Sequence, residues 1–216
     1  DALPILAAQL RSRIEAAPDP FEAAVRFAIA GNILDFGAFT HIDDAQLERS
    51  FREASAKPLP CSEIERLKSA VATAGSILYL GDNAGETVFD RLLIEHLPAG
   101  AVTYAVKAGP VINDATYADA LAAGIQEVAC IVDTGSDMPG TMLKECSPAF
   151  LRLFDTAEVV IAKGQANFET LCDAPREVFF LTQVKCATIA NAMEIALGQW
   201  VVRRKGLAAS PAPGEV

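Results

Sequence analysis

Near residue 77 the chain changes its hydrophobic rhythm. Before that point apolar residues recur at three- and four-residue spacing in LPILAAQLRSRIEAA, PFEAAVRFAIAGNILDFGAF and DDAQLERSFREAS. That spacing predicts amphipathic helices, bounded by Pro18, Pro20 and the Asp43-Asp44 pair. From Ile77 onward short continuous apolar runs take over: ILYL (77–80), VTYAV (102–106), EVACIV (127–132), VVIA (159–162) and VFFL (178–181). Helical patterns lie between them, near 84–96, 114–123, 139–153, 165–172 and 186–196. Apolar strands separated by helices mark a parallel sheet covered on both faces. The fold class is therefore α/β: a doubly wound, mostly parallel sheet of about five to six strands with an N-terminal helical layer. Its crossovers are expected to be right-handed. One domain is predicted over 1–205, helical in 1–75 and sheet-forming in 76–205, followed by a small-residue, Pro-rich disordered tail over 206–216.

Composition narrows the partners. With 216 residues, 51% hydrophobic and 21% charged, the chain can bury one sizeable core. A net charge of -10 argues against nucleic acid and anionic membrane, both of which need a basic face. The five cysteines form no CxxC pair, and several, such as Cys130 in EVACIV, sit inside apolar runs. Free buried thiols in a reducing compartment are expected rather than a disulfide framework. No stretch is long and apolar enough to span a bilayer and no signal peptide opens the chain, so a cytoplasmic protein is expected. Asp1 is not a natural start, and the chain reads as a trimmed piece.

The informative polar residues fall at the ends of the predicted strands. The first ends in Gly81-Asp82-Asn83, with Glu86 one turn on. The second gives Lys107 and then GPVINDAT, with Asn113 and Asp114; the third gives Asp133-Thr134-Gly135-Ser136-Asp137. The fourth gives Lys163-Gly164-Gln165-Ala166-Asn167 and then Glu169. Ligands of open parallel sheets bind beyond the carboxyl ends of the strands, so these ends are expected to converge on one edge. Local readings also exist. Asn83 with Glu86 fits an N-cap and capping-box partner, and Asp114 before ATYADAL fits another cap. Lys107 and Lys163 fit solvated charges, and Asp133 to Ser136 fit turn chemistry. Taken together the ends call for more, because crowded carboxylates repel unless a cation sits among them.

Asn32 is a separate anomaly. It interrupts the apolar face formed by Phe27, Ile29, Ile33 and Leu34, with Asp35 nearby. A buried Asn must find partners, either in a helix-to-loop bond or by entering the site.

Oxygen-only metal ligation fits this residue set. Asp82, Asn83 and Asp114 offer two carboxylates and an amide oxygen, with no His or Cys beside them, and His41 and His96 read as surface residues. Such donors suit Mg²⁺ or Mn²⁺, with Co²⁺ or Ni²⁺ tolerated in vitro. A cation beside Lys163 would cradle a phosphate. Gly81 is expected to let the backbone turn sharply, and the amides near Ala84 to point at that phosphate. Nothing matches GxxxxGK[ST] or GxGxxG.

GDNAGE, GPVINDAT and KGQANFE, in this order and at these strand ends, resemble the metal-dependent damage-control phosphatases, first catalogued as domain of unknown function eighty-nine. AGNILDF resembles that family's GNxxD helix, and the resemblance runs from about residue 20 to residue 204. It implies hydrolysis of phosphate monoesters with a divalent cation. The resemblance does not supply the substrate, which is expected on other grounds to be a small, sugar-phosphate-like metabolite. By position, Asp82, Asn83 and Asp114 match the metal ligands and Lys163 the phosphate-binding lysine. Asn32, Glu86, Asn167 and Glu169 match pocket positions, and Asn113 adjoins them. Asp82, Asp114 and Lys163 thus form the expected catalytic set, the nucleophile being either a water or Asp82 itself. The chain resembles the short prokaryotic branch, whose members usually carry a cysteine-containing segment before the first helix here. Two other readings compete. A methyltransferase also puts acidic residues at α/β strand ends, but its cofactor wants small residues where GDNAGE has Asp-Asn. A non-catalytic metal- or metabolite-binding protein is the third.

Overall fold

A computed structural model describes residues 2–31, 52–54 and 56–205. Asn32, Asp35, His41 and the 206–216 stretch lie outside the described residues, as does most of the helix expected over 43–55. The first helix, α1, spans Ala2–Glu15 and α2 spans Pro20–Ala30. Asp19 starts α2 by accepting from the Glu22 amide at 3.1 Å, with Pro20 in the first turn, where its missing N–H costs nothing. Helix α3 follows at Cys61–Thr73.

The sheet then forms from β1 (Ile77–Leu80), β2 (Val102–Val106), β3 (Cys130–Asp133), β4 (Val159–Lys163), β5 (Val178–Gln183) and β6 (Trp200–Lys205). Its order is β3-β2-β1-β4-β5-β6, with β6 antiparallel to β5 and the other pairings parallel. Between strands run α4 (Thr87–Ile94), α5 (Tyr117–Ala122), α6 (Pro148–Thr156), α7 (Gly164–Leu171) and α8 (Ala187–Met193). The doubly wound α/β arrangement expected from the sequence is present.

Each strand face meets its own core. Ile77 and Tyr79 of β1 pack with α1 to α5, whereas Leu78 and Leu80 pack with Phe150 and Phe154 of α6 and Phe168 of α7. Full burial of one such side chain stabilises by roughly 1.5–3 kcal/mol, so the double layer fixes strand direction firmly. Three details differ from the sequence reading. Helix α6 begins at Pro148, where Ser147 caps the Phe150 amide at 3.1 Å, rather than near 139. Strand β3 begins at Cys130, because 125–127 form a 3-10 turn. Cys130 is exposed rather than buried, since β3 is an edge strand with one side uncovered. All five cysteines are free, as expected.

Candidate active site

Strand order reverses between β1 and β4, and the crevice beyond their carboxyl ends is where doubly wound folds receive ligands. Asp82 and Asn83 leave β1 at this crevice, while Lys163 ends β4 and Gly164 opens α7. Gly164 has φ +76°, and a Cβ there would stand 1.8 Å from Asp82 Oδ2. Glycine alone lets the carboxylate lie against the backbone that starts α7. Gly81 serves a different purpose from the sharp turn expected of it. Its φ is not positive, and a Cβ there would meet the Tyr104 hydroxyl at 2.6 Å. The need is for close approach.

The second strand end comes to the first by backbone pairing. Ala84 N donates to Asn113 O at 2.8 Å and Ala115 N to Asp82 O at 2.7 Å, so Asn83 and Asp114 face each other in an antiparallel bridge. Asp82, Asn83 and Asp114 are thereby brought together, with Asn113 exposed at the rim. A tight turn delivers Asp114: its amide donates to Val111 O at 2.9 Å across Ile112, which sits at φ +49° and is 86% exposed. A β-branched residue with positive φ is strained, and Gly or Asn is the usual occupant.

The capping alternatives fail at both aspartate-bearing loops. Asn83 makes no side-chain capping bond. The start of α5 is served by Thr116 and Asp119, whose carboxylate accepts from Thr116 N at 2.9 Å and Thr116 Oγ1 at 2.6 Å. Asp114 is thus not a cap. The expectation that the amides near Ala84 await a phosphate also needs correction. Ala84 N is bonded to Asn113 O and Glu86 N to Asn83 O, so two amides of that turn are committed.

Electrostatics divide the crevice into two layers. In the outer layer Lys107 Nζ lies 3.5 Å from Asp114 Oδ2 and donates to the Gly140 carbonyl. Both side chains are over nine-tenths buried. At that separation the contact is a loose ion pair, and Asp114 Oδ2 has no hydrogen-bond partner among the described residues. Burial pushes the Asp114 carboxyl above its ordinary value, more than Lys107 pulls it down. Burial likewise pulls the Lys107 ammonium below its ordinary value, against the opposing attraction of Asp114 and Asp82.

In the inner layer Lys163 Nζ, wholly buried, donates to Asp90 Oδ1 at 2.5 Å and to Glu86 Oε2 at 2.9 Å. Asp90 also accepts from the Tyr79 hydroxyl on Oδ1 and the Tyr104 hydroxyl on Oδ2, each at 2.8 Å. Asn83 Nδ2 donates to Glu86 Oε1 at 2.6 Å and so links the layers. Burial works to lower the Lys163 pKa, but the charges of Asp90 and Glu86 overcome it and hold the ammonium above its ordinary range. Burial, with the Asp90 charge, raises the Glu86 carboxyl despite Lys163 and Asn83.

The remaining sequence candidates scatter. Asn167 is fully buried, its amide donating to Gly81 O at 3.1 Å and Lys163 O at 2.8 Å and accepting from Thr141 Oγ1 at 2.7 Å. It braces the ends of β1 and β4. Glu86 is similarly consumed by Asn83 and Lys163. Glu169 is exposed on α7 and accepts from Gln165 at 2.8 Å. Asp133 accepts from the Gly135 amide at 2.8 Å in turn chemistry, as one local reading had it. Lys107, read as equally able to be a solvated charge, is buried against Asp114 instead. Asp90, Tyr79 and Tyr104 carried no recognisable signal, because their partners come from distant elements.

Among the described residues no three His, Cys, Asp or Glu side chains gather as a metal cluster. The orphaned Asp114 oxygen, beside one further carboxylate and an amide, nonetheless fits a hard cation by donor type. Comparison with known proteins decides the family. Residues 4–201 match the damage-control phosphatase ARMT1-like domain.

The chain belongs to that family.

It is 38% identical over 188 residues to damage-control phosphatase PH1575 of Pyrococcus horikoshii, covering 85% of this chain and 65% of that protein. It is 30% identical over 195 residues to a damage-control phosphatase of Archaeoglobus fulgidus, covering 88% of this chain and 67% of the relative. The chain therefore spans about two thirds of the length of these damage-control phosphatases. The crystal structure of the DUF89 family protein from P. horikoshii superposes with a TM-score of 0.81 at 34% identity, covering 93% of this chain and 71% of that one.

Proposed function

We propose that the crevice between β1 and β4 is the active site of a divalent-metal-dependent phosphomonoesterase. Its substrate would be a small, sugar-phosphate-like metabolite; the names of the family relatives support the phosphatase activity. One observation carries the reading. A buried carboxylate oxygen of Asp114 lacks a hydrogen-bond partner among the described residues, at the place where Asp82 and Asn83 are clamped beside it. An unsatisfied buried oxygen costs about 1–3 kcal/mol, which suits a position kept for a ligand.

Asp82, Asn83 and Asp114 would hold the cation, with Mg²⁺ or Mn²⁺ first and Co²⁺ or Ni²⁺ as substitutes. When bound, it would supply positive charge against the phosphoryl oxygens. Lys163, charged throughout the working pH range, would add a fixed positive charge beneath them. Asp82, lying against the Gly164 backbone, would either attack the phosphorus itself or leave the attack to a water. Asn113 on the rim would meet the organic part of the substrate, and Glu169 would stand further out on α7. We assign the activity to one unit over 1–205 acting in the cytoplasm, where the five free cysteines suit a reducing environment, without nucleic acid or membrane partners.

The test is a panel of phosphorylated metabolites assayed with Mg²⁺, Mn²⁺, Co²⁺, Ni²⁺ or chelator. Cation-dependent phosphate release is expected. Release that ignores chelator, or no release with any cation, would overturn the reading. Acid-stable bound phosphate in a quenched burst would assign the attack to Asp82.

A further inference from the structure

The inner layer holds five polar side chains, Lys163, Asp90, Glu86, Tyr79 and Tyr104, inside an otherwise apolar core, and folding alone does not require them. Buried ion pairs can usually be exchanged for well-packed apolar residues without loss of stability. Phenylalanine would fill the strand positions of Tyr79 and Tyr104 equally well. These two are direct partners in the β1–β2 register, with rings stacked at 5.5 Å, and both hydroxyls are spent on the carboxylate of Asp90. Asp90 is itself fully buried on α4. Its Oδ1 takes Tyr79 and Lys163, and its Oδ2 takes Tyr104.

We propose that Asp90, clamped by Tyr79 and Tyr104, is the positioning residue that aims the Lys163 ammonium at the substrate phosphate. The proposal rests on the phosphatase reading above. A carboxylate that accepts from two rigid tyrosines cannot rotate, so its remaining acceptor direction is fixed. Lys163 meets that direction at 2.5 Å. An ammonium has three N–H groups. Asp90 takes one and Glu86 a second, so the third is the one a phosphoryl oxygen would take. At the backbone the carbonyl of Lys163 is held by Asn167 at 2.8 Å, which anchors the other end of the side chain. The aromatic clamp therefore sets both the direction and the charge of a flexible side chain, from the neighbouring strand β1 and from β2 beyond it.

The test is a double-mutant cycle. Asp90→Asn, Tyr79→Phe, Tyr104→Phe, Lys163→Met and the Asp90→Asn/Lys163→Met pair are assayed with p-nitrophenyl phosphate and Mn²⁺, while Mn²⁺ affinity is measured by calorimetry. Asp90→Asn is expected to lower kcat by about 100-fold, the scale of a misplaced reacting group, with Mn²⁺ affinity held. Each Tyr→Phe change is expected to lower it less, in the same direction. In the Lys163→Met background Asp90→Asn should add almost nothing, because its effect passes through Lys163. If it costs the same factor with or without Lys163, the positioning role is wrong. Should Asp90→Asn fail to fold, the Tyr79→Phe/Tyr104→Phe pair replaces it in the same cycle, since both rings and the core packing remain. A wild type inactive with every cation would overturn the phosphatase reading and this role together. An active wild type with additive effects would overturn this role alone.

Discussion

Lys163 ends β4 and Lys107 directly follows β2, and both lie buried beside an aspartate, yet their pairs differ in completeness. Lys163 meets Asp90 at 2.5 Å and Glu86 at 2.9 Å, and two tyrosines saturate the Asp90 carboxylate. Lys107 stands 3.5 Å from Asp114, whose Oδ2 is left without a hydrogen-bond partner among the described residues. The ionisations respond in opposite directions. Burial acts against charge at both lysines, but only at Lys163 do the neighbouring carboxylates win. Among the described residues the inner layer is thus paired except for the third N–H of Lys163, and the outer layer is an incomplete one that a cation and a phosphate would finish. Proteins tolerate broken local rules where function requires them.

The difference is broken most sharply by exchanging one member of each layer. Asp114→Asn is isosteric and removes a charge that burial already disfavours. It should leave the metal-free protein as stable as before or slightly more so, while lowering turnover by about 10²–10³-fold. Calorimetry should show weakened cation affinity. Lys163→Met should do the reverse in folding, costing about 3–5 kcal/mol because two carboxylates are left buried together. Chemical denaturation of both variants checks this contrast.

Asn83 joins the layers, so Asn83→Asp sharpens the comparison. Its amide now donates to Glu86 at 2.6 Å. An aspartate there would face a carboxylate and add negative charge beside the phosphate. Cation affinity should hold or tighten, turnover should fall by about tenfold or more, and the metal-free melting temperature should drop. Unaltered turnover would put the site elsewhere.

Much of this was legible in the sequence. ILYL, VTYAV, VVIA and VFFL announced their strands because a sheet covered on both faces needs unbroken apolar runs. GDN and NDAT announced a ligand edge because parallel strands deliver their last residues there. Other features had no local signal. Strand β6 was not singled out, since WVVRRK ends in three charges and pairs antiparallel at the sheet edge. Asp90 reads as an ordinary polar position on a helix, and only the meeting of β1, β2, α4 and β4 makes it the centre of a network. Lys107 becomes partner to Asp114 only through the turn at Ile112 and the bridge to Asn83. Ser147-Pro148 was a readable helix start, and the apolar pattern upstream obscured it.

A side-chain NMR titration of metal-free protein tests the lysine contrast more gently. Lys107 should lose its proton below the ordinary lysine value and Lys163 above it. The signs for stability follow. The contribution of Lys163 is stabilising in full below the ordinary value and is lost as pH rises through its raised folded value. The contribution of Lys107 is destabilising in full below its lowered folded value and disappears once pH passes the ordinary one. Equal titration of both lysines would erase the distinction between the layers.

The smallest expected effect is at the turn that delivers Asp114. Ile112→Gly should relieve positive-φ strain and raise stability by about 1 kcal/mol, read from denaturant midpoints, if the turn keeps its conformation.

The most direct test of an open cation site in the outer layer is the melting temperature of wild type and Asp114→Asn with chelator, Mg²⁺, Mn²⁺ or Ca²⁺. A bound cation stabilises the native state by mass action. Wild type should melt higher with Mg²⁺ and Mn²⁺ than with chelator, with a smaller rise for Ca²⁺, which asks for about six to eight oxygen ligands. Asp114→Asn should lose most of that rise. A wild-type curve indifferent to every cation, or a variant that responds as fully as wild type, would contradict the account.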